Sequence, residues 1–260
     1  MLTYLLEKGK KILTVLIIGM LLSSQVIDAT ESNVVTLSFV DKQVQQEIPA
    51  WKIREYDVVV RVGEYNNKEG KRVYIDEGIS WKDIPKDIPI HKDTRGHYVS
   101  EFDINYKVAS KLVAELQSHG ISTKLQVAQG KKQDLNAAGR ISNESNPKLY
   151  ISIHHNSFNE DSTGYFSMYN ENDVAGYNIA NRLSNSIKNN LIPQRETRCN
   201  DGYIGELNSI HNSTIPVLME LGFFSNKEEL KIICGEEYTN LVSTNMANEI
   251  SKILKDYWRD

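Results

Sequence analysis

The sequence is poor in cysteine, in basic clusters and in long apolar runs, and each shortage argues against a class of protein. Its two cysteines, Cys199 and Cys234, are too few for a disulfide scaffold and too far apart for a CxxC metal site. The formal net charge is -4 and no long basic run is present, so nucleic acid is not an expected partner. With 40% hydrophobic and 25% charged residues, the 260-residue chain has the composition of a globular protein.

An apolar run near the N-terminus, Ile12 to Leu22, is short for a membrane span. Three lysines precede it and small and polar residues follow, which is the order of a secretory signal. We therefore predict a signal peptide over residues 1–29, a linker over residues 30–55 and one domain over residues 56–260. The protein is expected to be exported, and to contact the membrane only through a signal that is not cleaved.

Beyond residue 56, strand-like and helix-like segments alternate. The helix EFDINYKVASKLVAELQSHG carries one apolar stripe, with Ser100 as its N-cap and Gly120 as its end. A polar segment, residues 64–100, is expected to be a long loop. Strands are predicted in YDVVVRVG, ISTKLQVA, KLYISIHHNS, GYFSMYN and TIPVLMELGFFSN, and further helices in LNAAGRISNES and over residues 174–190 and 237–257. This alternation predicts an α/β fold with a mostly parallel sheet and helices on both faces.

Three predicted strands end in a residue that can bind metal or move a proton: Glu64, His154 and Glu220. A fourth such residue, Glu101, opens the long helix. Strand carboxyl ends and the helix starts that follow them share one rim of a parallel sheet, so these four side chains can converge. Carboxylates and imidazole are zinc ligands, and a remaining carboxylate can act as a base. Taken singly, Glu101 is better explained by the helix dipole, and Glu64 is also explained as a solvated loop residue.

The segments SEFDINYKVASKLVAEL, NAAGRISN, LYISIHHNS and PVLMELGFFSN resemble, in order and spacing, the zinc-dependent N-acetylmuramoyl-L-alanine amidases of the amidase-3 type. Those are bacterial cell-wall hydrolases. The resemblance covers the whole predicted domain and implies a six-stranded α/β sheet with helices on both sides. It also implies Zn²⁺ as cofactor, peptidoglycan as substrate and a secreted or wall-associated location. Whether a partner protein activates the chain stays open.

The resemblance implies roles for three residues. Glu101 and His154 match zinc ligands, and Glu220 matches the catalytic glutamate. The implied reaction is hydrolysis of the amide between N-acetylmuramic acid and the first L-alanine of the stem peptide. Glu220 would take the proton of the attacking water and pass it to the leaving amine.

The chain departs from the family pattern at Glu64, which stands where the family has its first histidine ligand. One explanation is that Glu64 is itself the third ligand, because carboxylate oxygen and imidazole nitrogen bind zinc at nearly the same distance. Another is that a loop histidine, His97 or His91, takes its place. A third is an incomplete site in a wall-binding or regulatory pseudoamidase. We favour the first, and keep a zinc peptidase acting on stem peptides as a further enzymatic alternative.

Overall fold

The computed structural model describes residues 54–64, 71–75, 79–127 and 135–258, together with the backbone of four strands before residue 50. The chain forms two compact units, residues 1–54 and 55–260. In the first unit, two antiparallel pairs form: β1 (Leu2–Glu7) with β2 (Lys10–Val15), and β3 (Val34–Ser38) with β4 (Gln45–Pro49). Most of the predicted signal peptide and linker lies outside the described residues, and both stay predictions. Within the described part of the chain, no helix is long and apolar enough to cross a membrane.

The second unit begins with strand β5 (Val58–Val62), and the segment after it is not the simple loop that the sequence predicted. Its described residues form a small antiparallel sheet in the order β6-β8-β7, from β6 (Arg72–Tyr74), β7 (His91–Lys92) and β8 (His97–Ser100). Strands of two to four residues are too short to show a period of two, so the sequence pattern misses them. The strands pair through their backbones, and the Arg72 guanidinium of β6 adds contacts 4.6 Å from the centre of the Tyr98 ring of β8 and 2.7 Å from the carboxylate of Asp93, which follows β7.

The main sheet has six strands in the order β12-β11-β13-β10-β5-β9, which confirms the predicted α/β architecture. Its other members are β9 (Thr123–Gln126), β10 (Leu149–Asn156), β11 (Phe166–Asn170), β12 (Arg198–Asn200) and β13 (Ile215–Phe223). Strands β13, β10, β5 and β9 run parallel to one another, while β11 pairs antiparallel with β13 and parallel with β12. The carboxyl ends of the four parallel strands therefore lie along one rim.

Helices cover both faces of this sheet. They are α1 (Glu101–Ser118), α2 (Leu135–Asn143), α3 (Val174–Ser186), α4 (Gly205–Asn208), α5 (Lys227–Cys234) and α6 (Glu236–Tyr257). Helices α1, α3, α5 and α6 pack on one face, and the short α4 packs on the other together with α2. The sequence predicted α1, α2, α3 and α6. It missed α4 and α5, which are too short for a clear helical period.

Alternation along the strands assigns side chains to these two faces. Val58, Val60 and Val62 of β5 belong to the large apolar core with α1 and α6, whereas Val59 joins a smaller cluster with Leu207 of α4. The same alternation places Arg61, His154 and Glu220 on the α4 side, because they lie an even number of residues from Val59, Tyr150 and Leu218 of that smaller cluster. The face covered by α4 thus carries the polar side chains of Arg61, His154 and Glu220 near the sheet rim.

Helix α1 starts and ends as its sequence predicts. The Ser100 hydroxyl accepts a hydrogen bond from the Phe102 N–H at 3.3 Å, which satisfies one free donor of the first turn. After the helix, Gly120 adopts a φ of +77°, a left-handed conformation that favours glycine. The Ser100 cap makes Glu101 the first helical residue, at the rim of the sheet, and Gly120 ends the helix.

Candidate metal centre and active site

Three of the four predicted site residues come together at the carboxyl rim of the sheet. One potential ligand atom from each of Glu64, Glu101 and His154 lies within 4.8 Å of the others. Glu64 follows β5, Glu101 opens α1 and His154 lies near the end of β10. Carboxylate oxygens and an imidazole nitrogen at this spacing suit a zinc ion with one position open to water or substrate.

The chain reaches Glu64 through an unusual backbone. A side chain at Gly63 would clash with the Ile153 carbonyl and with the His154 ring, whose carbons would lie 2.6 Å from the new Cβ. The next residue, Glu64, has a φ of +64°, the left-handed region that non-glycine residues enter at a cost of roughly 1–2 kcal/mol. Strained conformations of this kind cluster at functional sites. The turn directs the chain around the His154 ring and leaves the carboxylate of Glu64 beside Glu101.

Glu101 is fully buried and held by four groups. Its Oε1 accepts hydrogen bonds from the Asn105 side-chain amide at 3.2 Å and from the His155 backbone N–H at 3.1 Å. Its Oε2 lies 3.3 Å from the Lys71 ammonium. Burial alone would raise the pKa of Glu101, but the contact with His154 and the charge of Lys71 outweigh it and lower the pKa to about 2. Glu101 is therefore an anion at every physiological pH.

His154 lies between two carboxylates. Its Nδ1 is 3.5 Å from Oε1 of Glu101, and its Nε2 is 3.9 Å from Oε1 of Glu206. Burial lowers the pKa of this imidazole, yet the contact with Glu101 and the charges of Glu206 and Glu220 outweigh burial and leave the pKa above 6.5. A cation is therefore favoured at this position, either as a proton on the ring or as a metal ion.

Glu220 completes the predicted set from the neighbouring strand. It pairs directly with His154 in the parallel register of β10 and β13. Burial, and after it the charges of Glu101 and Glu206, raise the pKa of Glu220 to about 7 against the opposing effect of His154. A carboxyl group with a pKa near neutrality suits a general base, which must both accept and release a proton.

Three charged residues of the site were not singled out from the sequence: Arg61, Lys71 and Glu206. Arg61 is 1% exposed within β5 and pairs with Glu206 of α4 at 2.5 Å. An arginine inside an apolar strand requires a buried acidic partner, so the letters VVVRV predict such a partner for Arg61 without indicating which acidic residue it is. No such indication exists for Lys71, because it belongs to a polar segment in which a lysine is not unusual.

Charge balance provides a test of whether a metal fits this site. With the carboxyl groups of Glu64, Glu101, Glu206 and Glu220 ionised and His154 neutral, as a bound metal requires, four negative charges face the cations Lys71 and Arg61 and leave a formal charge of -2. One divalent cation would balance it. In the described part of the chain, Oε2 of the proposed ligand Glu101 is buried and makes no hydrogen bond within the protein, with only the Lys71 ammonium 3.3 Å away. The donor set and its surplus charge therefore fit a divalent metal ion.

The loop histidines considered as alternative ligands lie elsewhere. His91 directs its Nε2 to Oδ2 of Asp103 at 2.7 Å and stacks near Tyr98. His97 belongs to β8 of the small sheet. Among the described residues, the group of potential ligands within 4.8 Å contains neither histidine. The geometry therefore favours Glu64 over His97 and His91 as the partner of Glu101 and His154.

Comparison with known proteins identifies the family of the chain. The family model described as N-acetylmuramoyl-L-alanine amidase matches residues 73–252, a span that includes Glu101, His154 and Glu220 and begins after Glu64. The protein YqiI of Bacillus subtilis (strain 168), itself described as uncharacterized, is 27% identical over 183 residues, which cover 70% of this chain and 84% of YqiI.

Solved amidase structures share the fold. An N-acetylmuramoyl-L-alanine amidase from Clostridium difficile 630 superposes with a TM-score of 0.63 at 18% identity, covering 79% of this chain and all of that chain. The CwlD amidase from Clostridioides difficile, solved in complex with the GerS lipoprotein, gives a TM-score of 0.57 at 19% identity, with 77% and 99% of the two chains covered. Because the family model matches more than half of this chain, the chain belongs to the N-acetylmuramoyl-L-alanine amidase family.

Proposed function

We propose that the protein is an exported, zinc-dependent amidase that cleaves peptidoglycan between N-acetylmuramic acid and the L-alanine of the stem peptide. The observation that carries the proposal is the cluster of Glu64, Glu101 and His154 beside Glu220, in a chain of the amidase family. Peptidoglycan lies outside the cytoplasmic membrane, which agrees with the signal peptide predicted from the sequence.

Glu64, Glu101 and His154 are the proposed zinc ligands. Zinc held there would polarise the scissile carbonyl and lower the pKa of a water molecule. Two carboxylates and one neutral imidazole cancel the formal charge of the ion, whereas a site with one carboxylate leaves a charge of +1. We therefore expect a less acidic water, and an activity profile displaced to higher pH, than in an amidase with two histidines and one glutamate.

Glu220 is the proposed general base. As a carboxylate it accepts the proton of the attacking water, and as a carboxylic acid it donates that proton to the nitrogen of the leaving L-alanine. In the metal-free fold, burial raises its pKa to about 7, so the site favours the protonated form that donates to the leaving amine more than a solvated carboxyl group does. The neighbouring His154 keeps it at the rim, because the two residues pair directly across β10 and β13.

Product analysis tests the reaction. The purified full chain with one equivalent of zinc is incubated with peptidoglycan, and the soluble products are identified by mass spectrometry. An amidase releases intact stem peptides with a free N-terminal L-alanine and leaves glycan without peptide. Fragments cut within the stem peptide would instead identify a peptidase. Binding to the wall without any product would identify a non-catalytic protein.

Metal analysis supplies an independent test. We expect about one zinc per chain in the purified protein, and loss of hydrolysis when a chelator removes it. Glu220→Gln should keep the zinc and lose the activity, since it removes the base and leaves the proposed ligands in place. A variant that still hydrolyses peptidoglycan at the original rate would refute the role of Glu220.

A further inference from the structure

The Arg61–Glu206 pair uses only one oxygen of its carboxylate. Nη1 of Arg61 donates to Oε2 of Glu206 at 2.5 Å, and both side chains are 1% exposed. Oε1 of Glu206 is also buried and makes no hydrogen bond within the described part of the chain. A buried carboxylate oxygen without a donor is costly, so a second role for Glu206 beyond pairing with Arg61 is expected.

The imidazole of His154 is a candidate donor. Its Nε2 lies 3.9 Å from the unused Oε1 of Glu206 and is itself buried without a hydrogen bond in the described residues. The opposite ring nitrogen, Nδ1, lies 3.5 Å from Oε1 of Glu101, on the side of the ligand cluster. Two ligand atoms about 2 Å from one tetrahedral ion are roughly 3.3 Å apart, so Nδ1 is the nitrogen placed to bind metal.

We propose that Glu206 is a positioning residue for the metal centre: it accepts the Nε2–H of His154 and so keeps the unprotonated Nδ1 directed at Glu64 and Glu101. This inference rests on the proposed zinc site. A neutral imidazole carries one proton, and the hydrogen bond at one nitrogen decides which nitrogen is free to bind metal. A metal-binding histidine usually donates its other N–H to a carboxylate or carbonyl in this way.

Arg61 and the sheet fix the position of Glu206. Arg61 and His154 are on neighbouring strands and on the same face of the sheet, the face covered by α4, which carries Glu206. The guanidinium holds one carboxylate oxygen and turns the other towards the imidazole. A contact of 3.9 Å is longer than a hydrogen bond, and we expect it to close when metal draws a lone pair from Nδ1.

Glu206 is not placed as a ligand itself. Among the described residues, the group of potential ligand atoms within 4.8 Å of one another contains Glu64, Glu101 and His154 and does not include Glu206. Its distinct contribution is therefore to the tautomer and orientation of the ring, which a spectroscopic measurement can detect separately from activity.

The test uses the full chain labelled with ¹⁵N-histidine and titrated with zinc. Long-range ¹H–¹⁵N spectra distinguish a protonated, a free and a metal-bound ring nitrogen, and His154→Gln identifies the signals of His154 among the six histidines. We expect zinc at Nδ1 and a proton at Nε2 in the wild-type protein. Glu206→Gln should weaken zinc binding by roughly tenfold to a hundredfold and change the proportion of the two tautomers.

Glu229→Gln is the matched control. Glu229 of α5 is another buried carboxylate. It lies against the end of β13 and accepts hydrogen bonds from the backbone N–H groups of Gly164 and Phe223, both at 2.6 Å. Losing it should lower the stability of the fold without altering the zinc affinity of the folded protein or the His154 tautomer. If Glu206→Gln does not fold, the wild-type spectra alone still decide the outcome.

Each result has one meaning. Zinc bound through Nε2 of His154, or a Glu206→Gln affinity within twofold of wild type, overturns the role of Glu206 and leaves the proposed amidase intact. A wild-type protein that binds no zinc and releases no stem peptides overturns the proposed function, and the role of Glu206 with it. Zinc at Nδ1 with a weakened Glu206→Gln variant supports both.

Discussion

His154 and Glu220 occupy paired positions on the neighbouring parallel strands β10 and β13. Both point to the face of the sheet that is covered by α4. The next residue of β10, His155, points to the opposite face, where its Nδ1 contacts the Asn105 side chain of α1 at 2.7 Å. One strand end therefore provides a candidate ligand on one face and a supporting contact to Glu101 on the other, through Asn105 and the His155 N–H.

Removing the carboxylate of Glu64 should remove the metal. We expect Glu64→Ala to lose bound zinc and activity, and His97→Ala to keep both, because His97 lies outside the ligand group. Alanine retains the Cβ that strains the left-handed backbone, so the comparison isolates the carboxylate. Zinc content measured by mass spectrometry after gel filtration checks the prediction. Loss of zinc from His97→Ala alone would assign the third ligand to the loop.

Placing a histidine at position 64, where the family pattern has one, should lower the pKa of a water molecule at the proposed zinc. Glu64→His replaces a charged ligand with a neutral one of nearly equal bond length. We expect the variant to bind zinc and to reach half-maximal activity at a lower pH than the wild type, because the ion keeps more positive charge. The pH–rate profiles of the two proteins provide the comparison. A Glu64→His profile displaced to higher pH would contradict the charge argument.

Glu220→Gln should stabilise the metal-free fold at alkaline pH while abolishing hydrolysis. The pKa of Glu220 is raised from 4.5 to about 7 in the folded state, so the unfolded chain releases this proton first as the pH rises. Stability contributed by the group is therefore present below pH 4.5 and is lost between pH 4.5 and 7. At 1.36 kcal/mol per unit, the gain on removing the charge at pH 8 is at most about 3 kcal/mol.

Urea unfolding of wild type and Glu220→Gln at pH 4 and pH 8, both without metal, measures this difference. The two proteins should be close in stability at pH 4, since both then carry a neutral group at this position. A gain for Glu220→Gln that is equal at the two pH values would point to packing and not to charge.

The sequence predicted five of the six strands of the main sheet, because most of them are β-branched or apolar runs bounded by polar residues, and it missed the three-residue β12. The Val58–Val62 run and the apolar stripe of α1 are local signals and needed no tertiary information. Rim placement of Glu101, His154 and Glu220 followed from the rule that parallel strands end on one side. The small sheet around Tyr98 could not be predicted, because its strands are held by cation–π and ion-pair contacts between distant residues.

The polar residues around the candidate ligands were harder to predict than the ligands. Arg61 needed a buried partner, yet nothing in the sequence indicated that Glu206 lies against it, 145 positions away. Lys71 is 43% exposed, and its backbone carbonyl accepts a hydrogen bond from the Glu101 N–H, which holds the two residues side by side. Contacts of this kind depend on tertiary packing that has no periodic pattern.

Lys71→Met should tighten metal binding. The Lys71 ammonium lies 3.3 Å from Oε2 of Glu101 and competes with a metal ion for that carboxylate. A partly exposed ion pair contributes at most about 1 kcal/mol, so we expect roughly a twofold to fivefold gain in zinc affinity, larger at low ionic strength. Lys111→Met, which removes a surface partner of Glu115 on the same helix, is the control and should leave the affinity unchanged. A loss of affinity in Lys71→Met would mean that the ammonium orders Glu101 more than it competes.

His155 should make the metal-free fold sensitive to acid. Its ring is buried, which lowers the pKa to about 4, and the Asn105 amide donates to Glu101, so Oδ1 of Asn105 accepts the proton of Nδ1. As the pH falls from 6.5 to 4, the unfolded chain gains a proton that the folded ring does not, and stability decreases by up to about 3 kcal/mol.

Glu220 has the opposite pH dependence between pH 4.5 and 7, so the effect of His155 is best measured in the Glu220→Gln background. There, unfolding free energies from urea titrations should fall between pH 6.5 and 4, and adding His155→Gln should remove most of that slope. His119→Gln is the control, because His119 caps the exposed end of α1 and contacts Ser251 at 3.0 Å. An unchanged slope after His155→Gln would show that another group, such as a carboxylate of the ligand cluster, causes the sensitivity to acid.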